Sequence, residues 1–330
     1  MDEGQPNPTR NASRSDAAGT LPPEAYFKAA ARLERWLKAC VLCPRRCGVN
    51  RLAGERGFCR AGRLAAVNLA QLHFGEEPPL TGSQGSGAVF FAGCTLACLF
   101  CQNHTISQTG WGDELAPDEL ARVFLGLQKG GAHNLNLVTP TPHLPAILQA
   151  LGLARERGFS LPVVYNTSGY ERPAVIRQLA GLVQIYLPDY KYADDAVAAR
   201  LSEARNYVMS CREAIREMAE QVGGLELDAA GVARRGLLVR HLVLPQGLAG
   251  SHEVLRDLVR VAGRGVWVSL LAQYTPLHQA HTLAELNRPV SLAEYQDAVE
   301  ALEEAGVEHG FLQGPDAATA DYVPPFRETP

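Results

Sequence analysis

The sequence predicts an α/β fold, an open partial (β/α)6 barrel preceded by an N-terminal helix and a cysteine-rich metal-binding knuckle. Two observations predict it: six short apolar runs alternate with helical stretches, and seven of the eight cysteines fall into two clusters. Continuous apolar runs are typical of strands covered on both faces, and parallel strands need crossover connections. Because a closed barrel has eight strands, six predict an open one with its chemistry at the carboxyl ends of the strands.

Composition and charge are those of a soluble globular protein. The 330 residues are 46% hydrophobic and carry a formal net charge of −4, with a pI near 6.2. This charge argues against a protein whose main partner is nucleic acid. No apolar run reaches the roughly 18 residues that span a bilayer, and the N-terminus has no secretory pattern. We therefore expect a cytoplasmic protein without a membrane partner.

The chain divides into four predicted parts. Residues 1–22 are polar and are predicted to be a disordered tail. Residues 23–84 hold the N-terminal helix and the knuckle, 85–312 form the barrel, and 313–330 form a C-terminal tail. The first helix begins at a pair of prolines, which are favoured at a helix start. Its buried face is predicted from apolar residues at helical spacing: Tyr26, Ala30, Leu33 and Leu37.

The barrel elements follow in order along the chain. The predicted strands are 88–92, 134–139, 162–166, 182–187, 237–244 and 266–271. Between them, a helix begins at Pro117 and ends at Gly130, and residues 193–222 are predicted to be a long helical connection. Ser291 and Glu294 form a capping box, so we expect the last helix to begin there.

The first barrel strand runs directly into a loop with three cysteines, Cys94, Cys98 and Cys101. Three thiolates this close together can bind three corners of a cubane cluster and leave the fourth iron without a protein ligand. An open iron is where substrate chemistry can occur. A zinc site completed by His104 is the weaker alternative, because three cysteines at this spacing are unusual for catalytic zinc and structural zinc needs a fourth ligand.

This loop resembles that of the radical S-adenosylmethionine (SAM) superfamily, in which an aromatic residue, here Phe100, precedes the third cysteine. Most of the chain is similar to the pyruvate formate-lyase activating enzyme-like (PflX-like) iron-sulfur proteins. The similar segments are HFGEEPPLTGSQGSG at 73–87, CQN at 101–103, LQKGGAHNLNLVTPT at 127–141, VYNTSGY at 164–170 and YLPDYKY at 186–192. The resemblance implies a radical SAM barrel, a [4Fe-4S] cluster and SAM. It also implies cleavage of SAM to a 5'-deoxyadenosyl radical that abstracts hydrogen from a substrate.

The resemblance also implies SAM contacts at the strand ends. The family's Gly-Gly-Glu segment is replaced here by Thr139-Pro140-Thr141-Pro142, so we expect the carbonyls of Thr139 and Thr141 to hold the SAM amino group. Asp189 and Lys191 match a D-x-K element whose lysine can pair with the SAM carboxylate. The other candidates are Asn166 and Ser168 for the ribose, Arg240 as a carboxylate ligand or a buried ion pair, and His278.

Four more cysteines, Cys40, Cys43, Cys47 and Cys59, form the predicted knuckle in a stretch rich in Pro, Gly and Arg. Such a segment has few apolar groups with which to fold itself. Four thiolates that bind a metal would provide the missing folding energy. The ligand count allows either a structural zinc or a second [4Fe-4S] cluster, and both stay open.

Other titratable residues have a structural as well as a functional interpretation. His73, Glu76 and Glu77 lie between the knuckle and the barrel, as a solvated loop or as a lid whose carboxylates meet a cationic substrate group. His241 is expected to be structural. Cys211 has no cysteine neighbour at ligand spacing and is predicted to be a packed thiol.

Together these features predict a radical SAM enzyme. One hypothesis for its substrate is the glycine of a partner glycyl radical enzyme, and the alternative within the class is a small molecule, a peptide or RNA. The alternative from another class is a non-catalytic iron-sulfur electron-transfer protein, since a fold by itself does not fix a function. For the enzyme we expect an electron donor such as a flavodoxin or ferredoxin.

Overall fold

Short strands and helices alternate along the chain in this computed structural model, which describes residues 21–319 and 323–327. Most of the predicted tail at 1–22 therefore lies outside the described residues. The strands are β1 Ala65–His73, β2 Ser86–Phe91, β3 Asp113–Leu115, β4 Leu135–Val138, β5 Val163–Thr167, β6 Ile185–Pro188, β7 Glu226–Leu227, β8 Ala233–Leu242, β9 Trp267–Leu271 and β10 His309–Leu312.

The helices are α1 Pro23–Arg35, α2 Pro78–Thr81, α3 His104–Ser107, α4 Pro117–Lys129, α5 Leu144–Glu156, α6 Pro173–Ile176, α7 Asp195–Ser202, α8 Tyr207–Val222, α9 Ser251–Ala262 and α10 Leu292–Ala305. Helix α1 precedes the first strand, and the other helices lie between strands, where those that join parallel strands form the crossover connections. The predicted long connection is two helices, α7 and α8, because Glu203 and Asn206 adopt left-handed backbone conformations between them. In the described residues, no helix is long and apolar enough to cross a membrane.

The sheet confirms the predicted partial barrel. Its strand order is β10-β9-β8-β6-β5-β4-β2-β1-β3, with β7 paired to β8. The six predicted strands correspond to β2, β4, β5, β6, β8 and β9, which pair in parallel. At one end β10 adds a further parallel strand, and at the other β1 and β3 are antiparallel. The apolar-run criterion missed β10 because its four residues are short of apolar side chains and mostly exposed.

Local sequence signals account for the helix positions. Helix α1 begins at Pro23, and its apolar face buries Tyr26 and Leu33 in the core. In α10 the Ser291 N–H donates to the Glu294 carboxylate at 2.8 Å, and the Glu294 N–H donates back to the Ser291 hydroxyl at 3.3 Å, which confirms the capping box. Because the parallel strands all end at the same edge, the residues that follow them converge there.

Candidate active site

The three-cysteine loop is fixed by backbone contacts at both ends. Gly93 opens it with φ +80°, and a Cβ at this residue would lie 2.2 Å from the carbonyl oxygen of Cys59, so only glycine allows this approach. The N–H of Ala97 donates to the Ser202 carbonyl at 3.0 Å, and the N–H of Leu99 donates to the Leu201 carbonyl at 2.9 Å. The loop is therefore anchored to the carboxyl end of α7.

Each thiol of the loop has a polar neighbour. These neighbours are the Leu96 N–H at 3.4 Å from Cys94 Sγ, the Ser202 hydroxyl at 2.9 Å from Cys98 Sγ and the Ser107 hydroxyl at 3.3 Å from Cys101 Sγ. Burial raises the pKa of Cys98 to about 11 and also raises the pKa of the other two thiols. Hydrogen bonds to sulfur and burial are the features that tune a protein-bound iron-sulfur cluster. The donor set therefore fits a cubane bound through three thiolates.

A cavity of about 670 Å³ lies at the carboxyl ends of the strands, within the range of ligand-binding pockets. Most of the predicted site residues line it: Cys94, Cys98, Phe100, Cys101, Thr139, Asn166, Ser168, Asp189, Lys191 and Arg240. They follow β2, β4, β5 and β6, except for Asn166, which lies within β5, and Arg240, which lies within β8. The parallel arrangement thus brings together residues that are far apart in the sequence.

Asp189 and Lys191 form an ion pair in this cavity, with Lys191 Nζ 2.7 Å from Asp189 Oδ2. Burial lowers the pKa of Lys191, but the neighbouring Asp189 and Cys98 raise it by more, so its pKa lies above the usual value. The Tyr207 hydroxyl fixes this segment, since it accepts from the Lys191 N–H at 2.9 Å and donates to the Asp189 carbonyl at 3.1 Å. A protonated ammonium therefore faces the cysteine loop.

Arg240 forms a largely buried ion pair with Glu76 and Glu77, which is one of its two predicted roles. Its Nε and Nη2 donate to the two carboxylate oxygens of Glu77 at 2.7 and 2.6 Å, and Nη2 also donates to Glu76. Burial would raise the pKa of Glu77, but Arg240 lowers it by more, so Glu77 stays ionised. The prediction of a solvated loop at Glu76 and Glu77 is wrong, because both carboxylates turn inward to this guanidinium.

Two predicted cofactor residues do not line this cavity. Thr141 lies in a 3-10 turn, and its hydroxyl donates to the buried carboxylate of Glu171. The ring of His278 stacks on that of His104 at 4.4 Å, and its Nε2 lies 3.3 Å from Gln108 Oε1. Thr141 and His278 therefore lie apart from the cavity that the other predicted cofactor residues line, and their contacts with SAM stay predictions.

His241 and Cys211, which we expect to be structural, are both packed in the protein interior. His241 is fully buried, with Nδ1 2.7 Å from the Tyr190 carbonyl oxygen and Nε2 2.9 Å from the Ser251 hydroxyl. Burial lowers its pKa to about 4, so the ring is neutral. Cys211 is also fully buried, and its thiol lies 3.5 Å from the Asp189 carbonyl oxygen. The prediction of a packed thiol is confirmed.

The four cysteines of the knuckle line one small cavity together with Arg45, Arg51, Phe58 and three residues of the barrel. Cys40 and Cys43 are buried and Cys47 is exposed. Gly57 lies so close to Cys47 that a Cβ there would be 2.5 Å from its Sγ. Within the described ranges, no three or more His, Cys, Asp or Glu side chains are arranged to hold a metal ion. A cubane, by contrast, is held at separate irons, so its ligands need not meet at one point.

Sequence reasoning missed the segment that covers one side of the cavity. Pro324 lines the cavity, and Phe326 packs edge-on against Phe90 with 5.4 Å between ring centroids. The N–H of Arg327 donates to Asn68 Oδ1 at 3.1 Å, and its Nε donates to the Asn68 carbonyl at 2.7 Å. Asn68 lies at an irregularity in the pairing of β1 with β2, which frees it for these bonds. No local pattern in the sequence connects residues 68 and 327.

One class of enzymes has a partial barrel with a C-x3-C-x2-C loop after its first parallel strand. In these enzymes the loop binds a cubane cluster in which one iron has no protein ligand. The family model described as the radical SAM superfamily matches residues 88–222, which contain this loop. Uncharacterized protein MJ0674 of Methanocaldococcus jannaschii is 31% identical over 275 residues, which are 81% of this chain and 75% of that protein. This chain belongs to the radical SAM superfamily.

Solved structures of two further proteins are similar to this chain. A domain of pyruvate-formate lyase-activating enzyme from Bacteroides vulgatus is 15% identical with a TM-score of 0.35, and the match covers 50% of this chain and 87% of that one. HydG, a maturase of the [FeFe]-hydrogenase, is 11% identical with a TM-score of 0.48, and the match covers 88% of this chain and 63% of that one.

Proposed function

We propose that this chain is a radical SAM enzyme that abstracts a hydrogen atom from a substrate bound in the barrel cavity. The observation that carries the proposal is that the three loop thiols and the ion pair of Asp189 and Lys191 line the same cavity. Membership of the superfamily implies a [4Fe-4S] cluster and SAM. The reduced cluster would supply the electron that cleaves SAM to methionine and a 5'-deoxyadenosyl radical, and this radical would take the hydrogen.

The residues of the chain would bind and orient these groups. Cys94, Cys98 and Cys101 would hold three irons, and Lys191 would balance part of the negative charge of the thiolates. The backbone carbonyl of Thr139, together with Asn166 and Ser168, would provide the polar atoms for the amino and ribose groups of SAM. These assignments follow from their common cavity and from the resemblance.

The cavity walls would keep water from a reactive intermediate. Phe90 and Phe100 are buried and line the cavity, and the ion pair of Arg240 with Glu76 and Glu77 forms another part of its wall. Excluding water prevents side reactions of a radical and strengthens the electrostatic contacts inside the site.

For the substrate, we propose the glycine of a partner glycyl radical enzyme, with a small molecule, a peptide or RNA as the alternative. The similarity to activating enzyme-like iron-sulfur proteins supports the first choice. We also propose a flavodoxin or ferredoxin as the electron donor and the cytoplasm as the location, where such donors are found.

For the knuckle, we propose a second metal site bound by Cys40, Cys43, Cys47 and Cys59. Their shared cavity and the close approach of Gly57 to Cys47 support it. Metal analysis of the triple variant Cys94→Ala, Cys98→Ala, Cys101→Ala tests the proposal. Remaining iron and sulfide indicate a second cluster, remaining zinc indicates a structural site, and no remaining metal contradicts the proposal.

The decisive test of the catalytic proposal is cleavage of SAM. Protein reconstituted anaerobically and reduced with dithionite should release 5'-deoxyadenosine from SAM, and the Cys98→Ala variant should not. Met209→Ala is the control, because this side chain is exposed on α8 and should leave the product unchanged. If the wild-type chain releases no 5'-deoxyadenosine, the electron-transfer alternative gains support.

The substrate is tested separately. With a partner glycyl radical enzyme added, the activating function predicts an organic radical signal in the electron paramagnetic resonance (EPR) spectrum of the partner. If 5'-deoxyadenosine forms and this signal does not, the substrate belongs to one of the alternative classes.

A further inference from the structure

The knuckle and the three-cysteine loop touch through the side chain of Arg45. Its Nε donates to the Thr95 carbonyl oxygen at 2.5 Å, and its Nη2 donates to the Glu203 carbonyl oxygen at 2.7 Å. Thr95 lies between the first two cysteines of the loop. Glu203 directly follows Ser202, whose hydroxyl bonds Cys98. One guanidinium thus holds the loop and the helix end that anchors it.

The position of this guanidinium depends on the fold of the knuckle. Arg45 lies between Cys43 and Cys47 in the sequence, and its guanidinium carbon is 3.3 Å from the ring centroid of Phe58. Phe58 directly precedes Cys59, so the two halves of the knuckle meet at this stack. A cation over an aromatic ring at this distance is attracted to it, which fixes the direction of the donors.

The contact at Glu203 also stabilises an uncommon backbone conformation. Glu203 ends α7 with φ +51°, in the left-handed region that few non-glycine residues adopt. The carbonyls just before it, those of Leu201 and Ser202, accept the loop N–H groups of Leu99 and Ala97. If the Glu203 carbonyl lost its donor, the helix end that carries these acceptors would be less constrained.

We propose that Arg45 is a positioning residue that couples the knuckle to the three-cysteine loop. The folded knuckle presents a planar donor fork that bonds two carbonyls at once, and a lysine ammonium on a flexible stem does this less well. The state of the knuckle would thereby set how firmly Cys94 and Cys98 are held for the cluster. This inference rests on the proposed cluster at the loop and the proposed metal at the knuckle.

The test compares Arg45→Gln and Arg45→Lys with Arg46→Gln, in which the changed residue is adjacent, exposed and without a bond to the loop. The measurements are iron and sulfide per chain, the EPR spectrum of the reduced cluster and its midpoint potential. We expect Arg45→Gln to lower the iron bound at the loop several-fold and to change the EPR line shape, Arg45→Lys to lie in between, and Arg46→Gln to match wild type. Equal spectra and potentials for Arg45→Gln and wild type would overturn the proposal.

A double-mutant cycle tests the route of the coupling. Cys47→Ser, which removes a knuckle thiol, should change the EPR spectrum and potential of the loop cluster in the wild-type background. In the Arg45→Gln background the same change should add nothing, because the connection is already broken. Additive effects would contradict a route through Arg45. The EPR and iron measurements do not need SAM cleavage, so they separate this inference from the catalytic proposal.

Discussion

The two cysteine regions of this molecule differ in what holds them in shape. The loop of Cys94 to Cys101 follows a buried strand, is bonded to the end of α7, and has a polar neighbour for each thiol. The knuckle has two 3-10 turns as its regular structure in the described chain between α1 and β1, and its thiols range from buried to exposed. The barrel therefore preorganises one set of thiols, whereas the shape of the other set would depend more on the metal proposed for it.

The largest expected effect is a difference in thermal stability between a cysteine variant of the loop and a cysteine variant of the knuckle. Cys98→Ala should remove the loop cluster and SAM cleavage while leaving thermal unfolding nearly unchanged, because the barrel holds the loop. Cys43→Ala should unfold the knuckle, because this segment has few apolar groups of its own and the metal proposed for it would provide its folding energy. Metal analysis and circular dichroism melts check both variants. If the two variants melt alike, the distinction between the regions fails.

The next effect concerns the part of the barrel wall formed by Arg240, Glu76 and Glu77. Arg240→Met leaves two buried carboxylates without their partner, and breaking a buried ion pair in this way costs about 3–5 kcal/mol. Urea unfolding measures this loss. The triple variant Glu76→Gln, Glu77→Gln, Arg240→Met removes the whole set of charges and should recover most of the stability. If Arg240→Met has the same free energy of unfolding as the wild type, Arg240 does not stabilise this part of the barrel wall.

A pH-dependent effect connects the two regions. Glu171 accepts from Thr167, which lines the barrel cavity, at 2.5 Å and from Thr141, which lines the knuckle cavity. Burial raises its pKa to about 7 from an ordinary 4.5. The unfolded chain therefore releases this proton at lower pH than the folded chain, so wild-type stability falls as pH rises from about 4.5 to 7 and then levels off.

Glu171→Gln removes this dependence. Relative to the wild type, the variant should gain stability between pH 5 and pH 8, by up to about 3 kcal/mol from the size of the pKa change. Urea unfolding of both proteins at the two pH values measures the difference. The stability gain of Glu171→Gln over the wild type should grow as pH rises. If this gain stays constant or becomes smaller, Glu171 is not neutral in the folded protein at low pH.

The smallest expected effect is at the sulfur of Cys98. Ser202→Ala removes the hydroxyl 2.9 Å from this thiol, and hydrogen bonds to sulfur favour the reduced cluster. The midpoint potential of the loop cluster should fall, whereas the metal of the knuckle should not change. Potentiometric EPR titration gives the potential, and Met209→Ala, a change of an exposed side chain on α8, serves as the control. A rise in potential would contradict the donor role of Ser202.

Much of the fold could be predicted because its signals are local. The six apolar runs gave strands β2, β4, β5, β6, β8 and β9, and the capping box at Ser291 gave the start of α10. Contacts between distant residues could not be predicted in the same way. Glu76 and Glu77 carry no sign that Arg240 is their partner, and neither Asn68 nor Arg327 indicates the other.

By itself, the sequence determined the loop of Cys94, Cys98 and Cys101 and the alternation that builds the barrel, because ligand spacing and hydrophobic pattern act over a few residues. Only the tertiary structure decided that Thr139 reaches the cavity while Thr141 turns to Glu171, and that Arg45 joins the two cysteine regions. The physical reason is that side-chain direction and partner depend on how distant strands, turns and helix ends pack together, and no single segment contains that information.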